Sequence, residues 1–132
     1  MRRKSMKKIV ATPNAPAAIG PYSQGVVAVG KLVFVAGQTP VNPATGKIEA
    51  TEIKGAAKQC LTNVKAILEE AGLTMDDVVK TTVFLQDLKD FKDMNEVYAT
   101  FFTGDYPARS AVQVAALPLG ALCEIEAIAV EK

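Results

Sequence analysis

Residues Glu52 to Leu85, EIKGAAKQCLTNVKAILEEAGLTMDDVVKTTVFL, change periodicity part-way along and so decide the fold class. From about Glu52 to Ala71 the apolar positions Ile53, Ala57, Cys60, Val64, Ile67, Leu68 and Ala71 recur at steps of three and four, which stacks them in one stripe along a helix. Gly72 supplies the stop, because glycine readily takes the left-handed conformation that closes a helix. Val78 to Leu85 is β-branched and apolar, the composition of a strand. Downstream, helical spacing returns from Asp90 to Phe102, with Phe91, Met94, Tyr98 and Phe101 on one side, and Pro107 ends the connection. Two last strands, Ser110 to Ala115 and Leu122 to Val130, are joined through Leu117-Pro118-Leu119-Gly120. Upstream, Lys7 to Thr12 reads as a short first strand. Ser23 to Val29 and Leu32 to Gln38 read as a hairpin turning at Gly30-Lys31, and Asn42-Pro43-Ala44-Thr45-Gly46 as a loop. The order β, β, β, α, β, α, β, β predicts a single α+β domain, in which two helices pack on one face of a mixed sheet of five to six strands.

Two helices cannot cover both faces of such a sheet, and several strands are apolar on both. Val26 and Ala28 oppose Val27 and Val29; Ile125, Ala127 and Ala129 oppose Ile128 and Val130. The uncovered face would be an apolar surface in a monomer, and such surfaces mark association. A closed homo-oligomer follows as an expectation, with clefts where subunits meet.

Composition removes whole classes of chemistry. The chain has 132 residues, 49% of them hydrophobic, and no histidine, which excludes imidazole acid/base catalysis and histidine-bearing zinc sites. Neither a metal site nor a cofactor loop is expected. Gly20-Pro21-Tyr22-Ser23-Gln24-Gly25 has the glycine spacing of a phosphate loop, but Val26-Val27 stands where lysine and a hydroxyl residue belong. Arg2, Arg3, Lys4, Lys7 and Lys8 supply five of the 15 positive charges. Beyond residue 8, 10 cations face 14 carboxylates, a net −4 that would repel nucleic acid. Residues 1–8 are therefore expected to be a basic, solvated extension and 9–132 the functional domain. Ile9-Val10-Ala11 runs into Thr12-Pro13, too short for the apolar core of a secretory leader, and the uncharged run Ile9 to Gly30 is interrupted by Pro13, Pro16 and Pro21. The expected location is the cytoplasm, without a membrane segment, where Cys60 and Cys123 act as small buried hydrophobes.

Arg109 is the only charged residue between Asp105 and Glu124, set in Pro107-Ala108-Arg109-Ser110 at the mouth of an apolar strand. Its planar fork of donors suits bidentate capture of a small carboxylate; pairing with a neighbouring acid to fasten subunits is the alternative, and spacing alone does not choose. Glu124 and Glu126 lie two apart on a strand, so both face one side with Cα atoms roughly 6.5–7 Å apart, either as acid/base groups or as a solvated face. Tyr22, presented by the glycine-rich entry loop, either caps a pocket or packs half-buried. The Asn95 amide either lines that pocket or bonds a loop.

These residues, with Ala36-Gly37-Gln38, Asn95-Glu96-Val97-Tyr98, Leu117-Pro118 and Glu124-Ile125-Glu126-Ala127-Ile128-Ala129, resemble the Rid family of reactive-intermediate deaminases, also called the YjgF family, and its RidA branch in particular. The resemblance runs from about Ile9 to Val130. It implies a chorismate-mutase-like fold, a closed homotrimer with a site in each intersubunit cleft, and no cofactor. It further implies hydrolysis of small enamines and imines, such as 2-aminoacrylate and 2-aminocrotonate released by pyridoxal-phosphate enzymes, to 2-keto acids and ammonia. Carried over, Arg109 clamps the substrate carboxylate and Glu124 positions the attacking water. Tyr22, Gly37, Asn95 and the backbone at Ala111 border the substrate. Ala36 and Ala111 stand where many relatives have serine and cysteine. A protein that binds small carboxylates in the same clefts without chemistry is the competing reading.

Overall fold

In the computed structural model, which describes residues 7–131, the chain runs β1 (Lys8–Val10), β2 (Gly25–Val27), β3 (Lys31–Gln38), β4 (Val41–Asn42), β5 (Lys47–Ile48), α1 (Ile53–Glu70), β6 (Val78–Leu85), α2 (Phe91–Ala99), β7 (Ala108–Gln113) and β8 (Cys123–Glu131). Helix α1 forms because both of its ends are satisfied. The Glu52 carboxylate accepts the backbone N–H groups of Lys54 at 2.8 Å and Gly55 at 2.7 Å, two donors that a helix start otherwise leaves open. At the other end Gly72 takes φ 82°, so the Leu73 N–H reaches back to the Leu68 carbonyl at 2.9 Å and the Gly72 N–H to that of Glu69 at 3.0 Å. The buried stripe is Ile53, Ala56, Ala57, Cys60, Leu61, Val64 and Leu68. Ile67 and Ala71, expected within it, point to solvent instead, because the stripe is centred nearer Leu61 than their spacing suggested.

Strand β6 has the predicted bounds and sets the topology. It pairs antiparallel with β8 on one edge and parallel with β7 on the other, giving a mixed sheet of order β3-β8-β6-β7. Thr81, Val83 and Leu85 of β6 and Cys123, Ile125, Ala127 and Ala129 of β8 alternate toward the helices and are buried there. Both helices lie on this face, the α+β arrangement expected. The opposite face is open: Leu32 is 58%, Phe34 68% and Val112 44% exposed.

Two expectations are corrected. Strands β2 and β3 do not form a hairpin: β2 pairs antiparallel with β1, and β3 pairs along its length with β8. Gly30, at φ 140°, carries the chain past the end of β8 so closely that a Cβ there would overlap the Glu131 carbonyl oxygen. The long apolar β8 outcompetes a local turn. The six-strand row is also not one continuous ladder, since β1-β2 joins the four-stranded sheet at its β7 side through the single parallel bridge Ser23–Ala108. The predicted loop at Asn42 to Gly46 is the tip of a small hairpin, β4-β5, closed by the Gly46 N–H donating to the Asn42 carbonyl at 2.8 Å.

Of the basic N-terminal cluster, Arg2, Arg3 and Lys4 lie outside the described residues. Lys8 opens β1, and Lys7 Nζ donates to the carbonyls of Val78 at 3.3 Å and Asp105 at 3.4 Å. Both cysteines are buried, and Cys60 Sγ lies 3.6 Å from Cys123 Sγ. That contact, with burial, pushes the Cys60 thiol well above the usual range. Among the described residues no helix is long and apolar enough to cross a membrane.

Leu68 ties the last turn of α1 to the core and is fully buried. Leu68→Ala is expected to lower unfolding free energy by about 2–5 kcal/mol in a denaturant titration at fixed protein concentration, and a loss under about 1 kcal/mol would contradict this packing.

Candidate functional site

Arg109 sits on the edge strand β7, entered from the buried Pro107, and its Cα pairs with that of Thr81 on β6. Paired residues of neighbouring strands share a face, so Arg109 points to the helix side of the sheet. There its Nη1 donates to Asn95 Oδ1 of α2 at 2.6 Å. Three aromatic rings surround the guanidinium carbon: Tyr98 at 4.8 Å, Tyr22 at 5.4 Å and Phe91 at 5.5 Å from their centroids. All lie within cation–π range. Burial draws the Arg109 pKa below its ordinary value, while Tyr98 and Tyr22 oppose the shift. No carboxylate among the described residues pairs with Arg109. Of the two readings of this arginine, the pairing within the chain is with an amide, which leaves the cation uncompensated.

Local structure delivers Tyr22 to this cluster. The Ser23 N–H donates to the Pro107 carbonyl at 3.1 Å and Ser23 Oγ to the Tyr106 carbonyl at 2.5 Å, fastening the entry loop to the segment that leads into β7. Tyr22 folds back so that its phenol oxygen accepts the Ile19 N–H at 3.4 Å. Asn95, Phe91 and Ala99 of α2 face Ile19, Gly20, Pro21 and Tyr106 across an open cleft of ≈ 620 Å³. Tyr98 closes the cluster from below: its hydroxyl bonds Thr81 Oγ1 at 2.7 Å. Burial pushes that phenol up to about 12, against the Thr81 bond and the Arg109 charge. Ala111, two residues along β7, shares the Arg109 side and packs toward the core.

Glu124 and Gly37 form a second, separate cluster. Glu124 pairs with Phe84 on β6, a residue that alternates with Val83 and Leu85, so its carboxylate lies on the open face. The β3-β8 register moves by one between Val35↔Ala127 and Gln38↔Ile125, a bulge that sets Ala36 and Gly37 against one residue of β8. A Cβ at Gly37 would overlap Glu124 Oε2, so only glycine leaves the carboxylate its place. Glu126 shares the face but is exposed, opposite Thr82.

Within one chain, then, Tyr22, Asn95, Arg109 and Ala111 come together, as do Gly37 and Glu124, with the sheet between the two groups. Neither glutamate meets Arg109. The rings of Phe91 and Tyr98 and the hydroxyl of Thr81 escaped the sequence reading as site residues. Their signal was present, since Phe91 and Tyr98 lie four before and three after Asn95, a spacing that places all three on adjoining faces of α2.

Comparison with known proteins places the chain in a family. The family model described as endoribonuclease L-PSP matches residues 12–131. A 2-iminobutanoate/2-iminopropanoate deaminase of Escherichia coli K12 is 54% identical over 130 residues, covering 96% of this chain and all of that protein. A RutC family protein of Pyrococcus horikoshii is 53% identical over 124 residues, 94% of this chain and 98% of the relative. Among solved structures, the E. coli YjgF gene product superposes with a TM-score of 0.75 at 53% identity, and E. coli TdcF with bound serine with 0.75 at 52%, each covering 95% of this chain and 99% of the other. The matched family spans the strands and helices that carry both residue clusters, and the chain belongs to it: it is a member of the endoribonuclease L-PSP family, the YjgF/RidA group of proteins.

Proposed function

We propose that this protein hydrolyses small 2-imino acids and their enamine tautomers, such as 2-aminoacrylate and 2-aminocrotonate, to 2-keto acids and ammonia. The single observation that carries the reading is the uncompensated Arg109 guanidinium, held by Asn95 at 2.6 Å among aromatic rings. A planar fork in such surroundings binds a carboxylate through charge-assisted hydrogen bonds. It supports the same reading that relatives 54% identical over nearly their whole length are named imine deaminases, and that a solved neighbour holds serine, a small amino acid with a free carboxylate.

In this mechanism Arg109 anchors the substrate carboxylate, with Tyr22, Asn95 and the Ala111 backbone bordering it. Protonation at carbon converts an enamine to the imine, whose C2 is electrophilic. Glu124 orients a water and takes its proton as the oxygen bonds to C2, giving a tetrahedral amino alcohol. With the imine nitrogen protonated at the start, the same carboxylic acid returns the water's proton to the amine; as the C–N bond breaks the hydroxyl gives its own proton to the Glu124 carboxylate, C2=O forms, and ammonia and the 2-keto acid leave. The imine carbon needs orientation and modest acid/base help rather than a strong nucleophile, work that a carboxylate performs without histidine.

Arg109 and Glu124 face opposite sides of one sheet, so a working site requires the Arg109 cluster of one copy and the Gly37-Glu124 cluster of another. Two different surfaces meeting in this way build a ring where the rotation between copies closes, and the homotrimer is the closed assembly we assign. The exposed Leu32 and Phe34 provide apolar area for it. Residues 9–132 form the catalytic unit in this reading, 1–8 a basic extension, and the setting is cytoplasmic, beside pyridoxal-phosphate enzymes that release such imines. The RNA cleavage in the family's description finds less support, because the body beyond residue 8 has a net charge of −4.

Keto-acid release from freshly generated 2-aminoacrylate, corrected for the spontaneous rate, tests the assignment. Wild type accelerates release, and Arg109→Ala, still oligomeric, loses about ten- to a hundredfold in kcat/KM, the scale of a lost charge-assisted hydrogen bond. An Arg109→Ala protein at full rate overturns the mechanism, and carboxylate binding without acceleration would leave a binding protein.

Glu124→Gln is expected to cut kcat by about a hundredfold or more while the oligomer persists, the usual yield of a positioned proton acceptor. Gly37→Ala displaces the carboxylate without removing it and lowers kcat in the same direction. Steady-state kinetics with size-exclusion chromatography reads both; unchanged kcat in Glu124→Gln removes Glu124 from the reaction.

A further inference from the structure

The Arg109 cluster contains a hydroxyl pair that neither packing nor substrate contact explains. Thr81 and Tyr98 are 1% and 0% exposed, and their oxygens lie 2.7 Å apart in a core otherwise built of Val83, Leu85, Met94, Ile125 and similar side chains. Valine and phenylalanine would fill the same volume with no polar group to desolvate, so the hydroxyls add directionality rather than packing. What they direct is set by their neighbours. The Cα of Thr81 pairs with that of Arg109 across β6 and β7, the Tyr98 ring is the nearest of the three to the guanidinium, and the two hydroxyls bond each other. Thr81, Tyr98 and Arg109 thus form a closed circuit of one strand pairing, one hydrogen bond and one ring contact.

The other two rings are not anchored in the core: the Tyr22 phenol takes its hydrogen bond from the exposed Ile19 N–H, at 3.4 Å. Phe91 is 36% exposed at the start of α2, and Tyr22 belongs to a loop whose residues from 11 to 20 are all exposed. Of the three, Tyr98 is the ring that is fully buried and bonded to a buried side chain. A guanidinium is weakly hydrated on its faces and makes its hydrogen bonds in its plane, so a fixed ring against one face defines the plane in which the fork can receive a ligand. Asn95 binds one corner of that fork at 2.6 Å, and the Tyr98 ring lies 4.8 Å from its central carbon.

We infer that Thr81 and Tyr98 are positioning residues which, through their mutual hydrogen bond, hold the plane of Arg109 for bidentate capture of a small 2-imino or 2-keto carboxylate. The inference rests on the reading of Arg109 as the carboxylate clamp. Without the hydroxyl pair the cation remains, but it must be ordered by each incoming ligand, which weakens binding and leaves the chemical step alone.

The test uses Thr81→Val, Tyr98→Phe, their combination, Thr81→Ser and Arg109→Ala, all in the full chain and checked for oligomeric state and thermal unfolding. Two readouts serve: KM and kcat for 2-iminobutanoate generated in the assay, and the Kd of 2-oxobutanoate by calorimetry. Thr81→Val and Tyr98→Phe are each expected to raise KM and Kd about five- to tenfold with kcat within about twofold, the pattern of lost uniform binding. The double variant should be no weaker than either single one, because both remove one bond. Thr81→Ser restores the hydroxyl and should bind within about twofold of wild type, which a purely structural role for the threonine methyl would not allow. Folded Thr81→Val and Tyr98→Phe proteins with wild-type KM and Kd overturn the proposal, as does Thr81→Ser behaving like Thr81→Val. Should Thr81→Val not fold, Tyr98→Phe and Thr81→Ser decide alone. If Arg109→Ala leaves the Kd unchanged, the clamp reading fails and this inference with it; if only Arg109→Ala weakens binding, the clamp stands and the positioning pair is refuted.

Discussion

A sheet with two apolar faces and only two helices to cover them is the constraint on which this molecule turns. Helices of 18 and nine residues cover one side of β3-β8-β6-β7, where Cys123, Ile125, Ala127 and Ala129 are almost wholly removed from water. Burial of that area stabilises the chain at about 25 cal/mol per Å² and makes the covered side the folding core. The other side keeps Leu32 and Phe34 in solvent, an arrangement that invites association. The inequality also separates the chemistry: residues of even and odd position on the same strands face different surroundings. Arg109 lands on the covered side and Glu124 on the open one.

Electrostatics follows from the same division. Beneath the helices, the Arg109 charge is partly desolvated, at a cost that the Asn95 amide and three ring faces offset in part. In the proposed function a small carboxylate entering beside it recovers the remainder. On the open face Glu124 rests in a hollow made by a missing Cβ and a strand bulge. In the proposed function one cluster holds and the other reacts, and a partly buried cation and a partly exposed carboxylate suit those tasks.

Much of this was legible in the residues alone, wherever a local pattern governs. The period of α1, its glycine stop and the β-branched run of β6 are local, and the structure places them within a residue of expectation. The hairpin expected at Gly30-Lys31 failed because strand pairing is a competition between distant segments, and no turn residue reports that β8 offers β3 a longer ladder. The isolation of Arg109 in an apolar run marked it as a site residue. Phe91 and Tyr98 were visible only as a core stripe, since an aromatic spacing on a helix does not tell which charge it will meet. The fit of Glu124 over Gly37 needed both the register and the bulge, and neither is written in spacing.

Sulfur chemistry takes its character from one further feature. The two cysteines of this chain face each other beneath α1, 3.6 Å apart and wholly buried, and position 111, beside Arg109, is alanine. The pocket beside Arg109 therefore presents no thiolate to the reactive enamines and imines proposed to pass through it. A thiol at that spot would be a group open to oxidation; a methyl group there is inert.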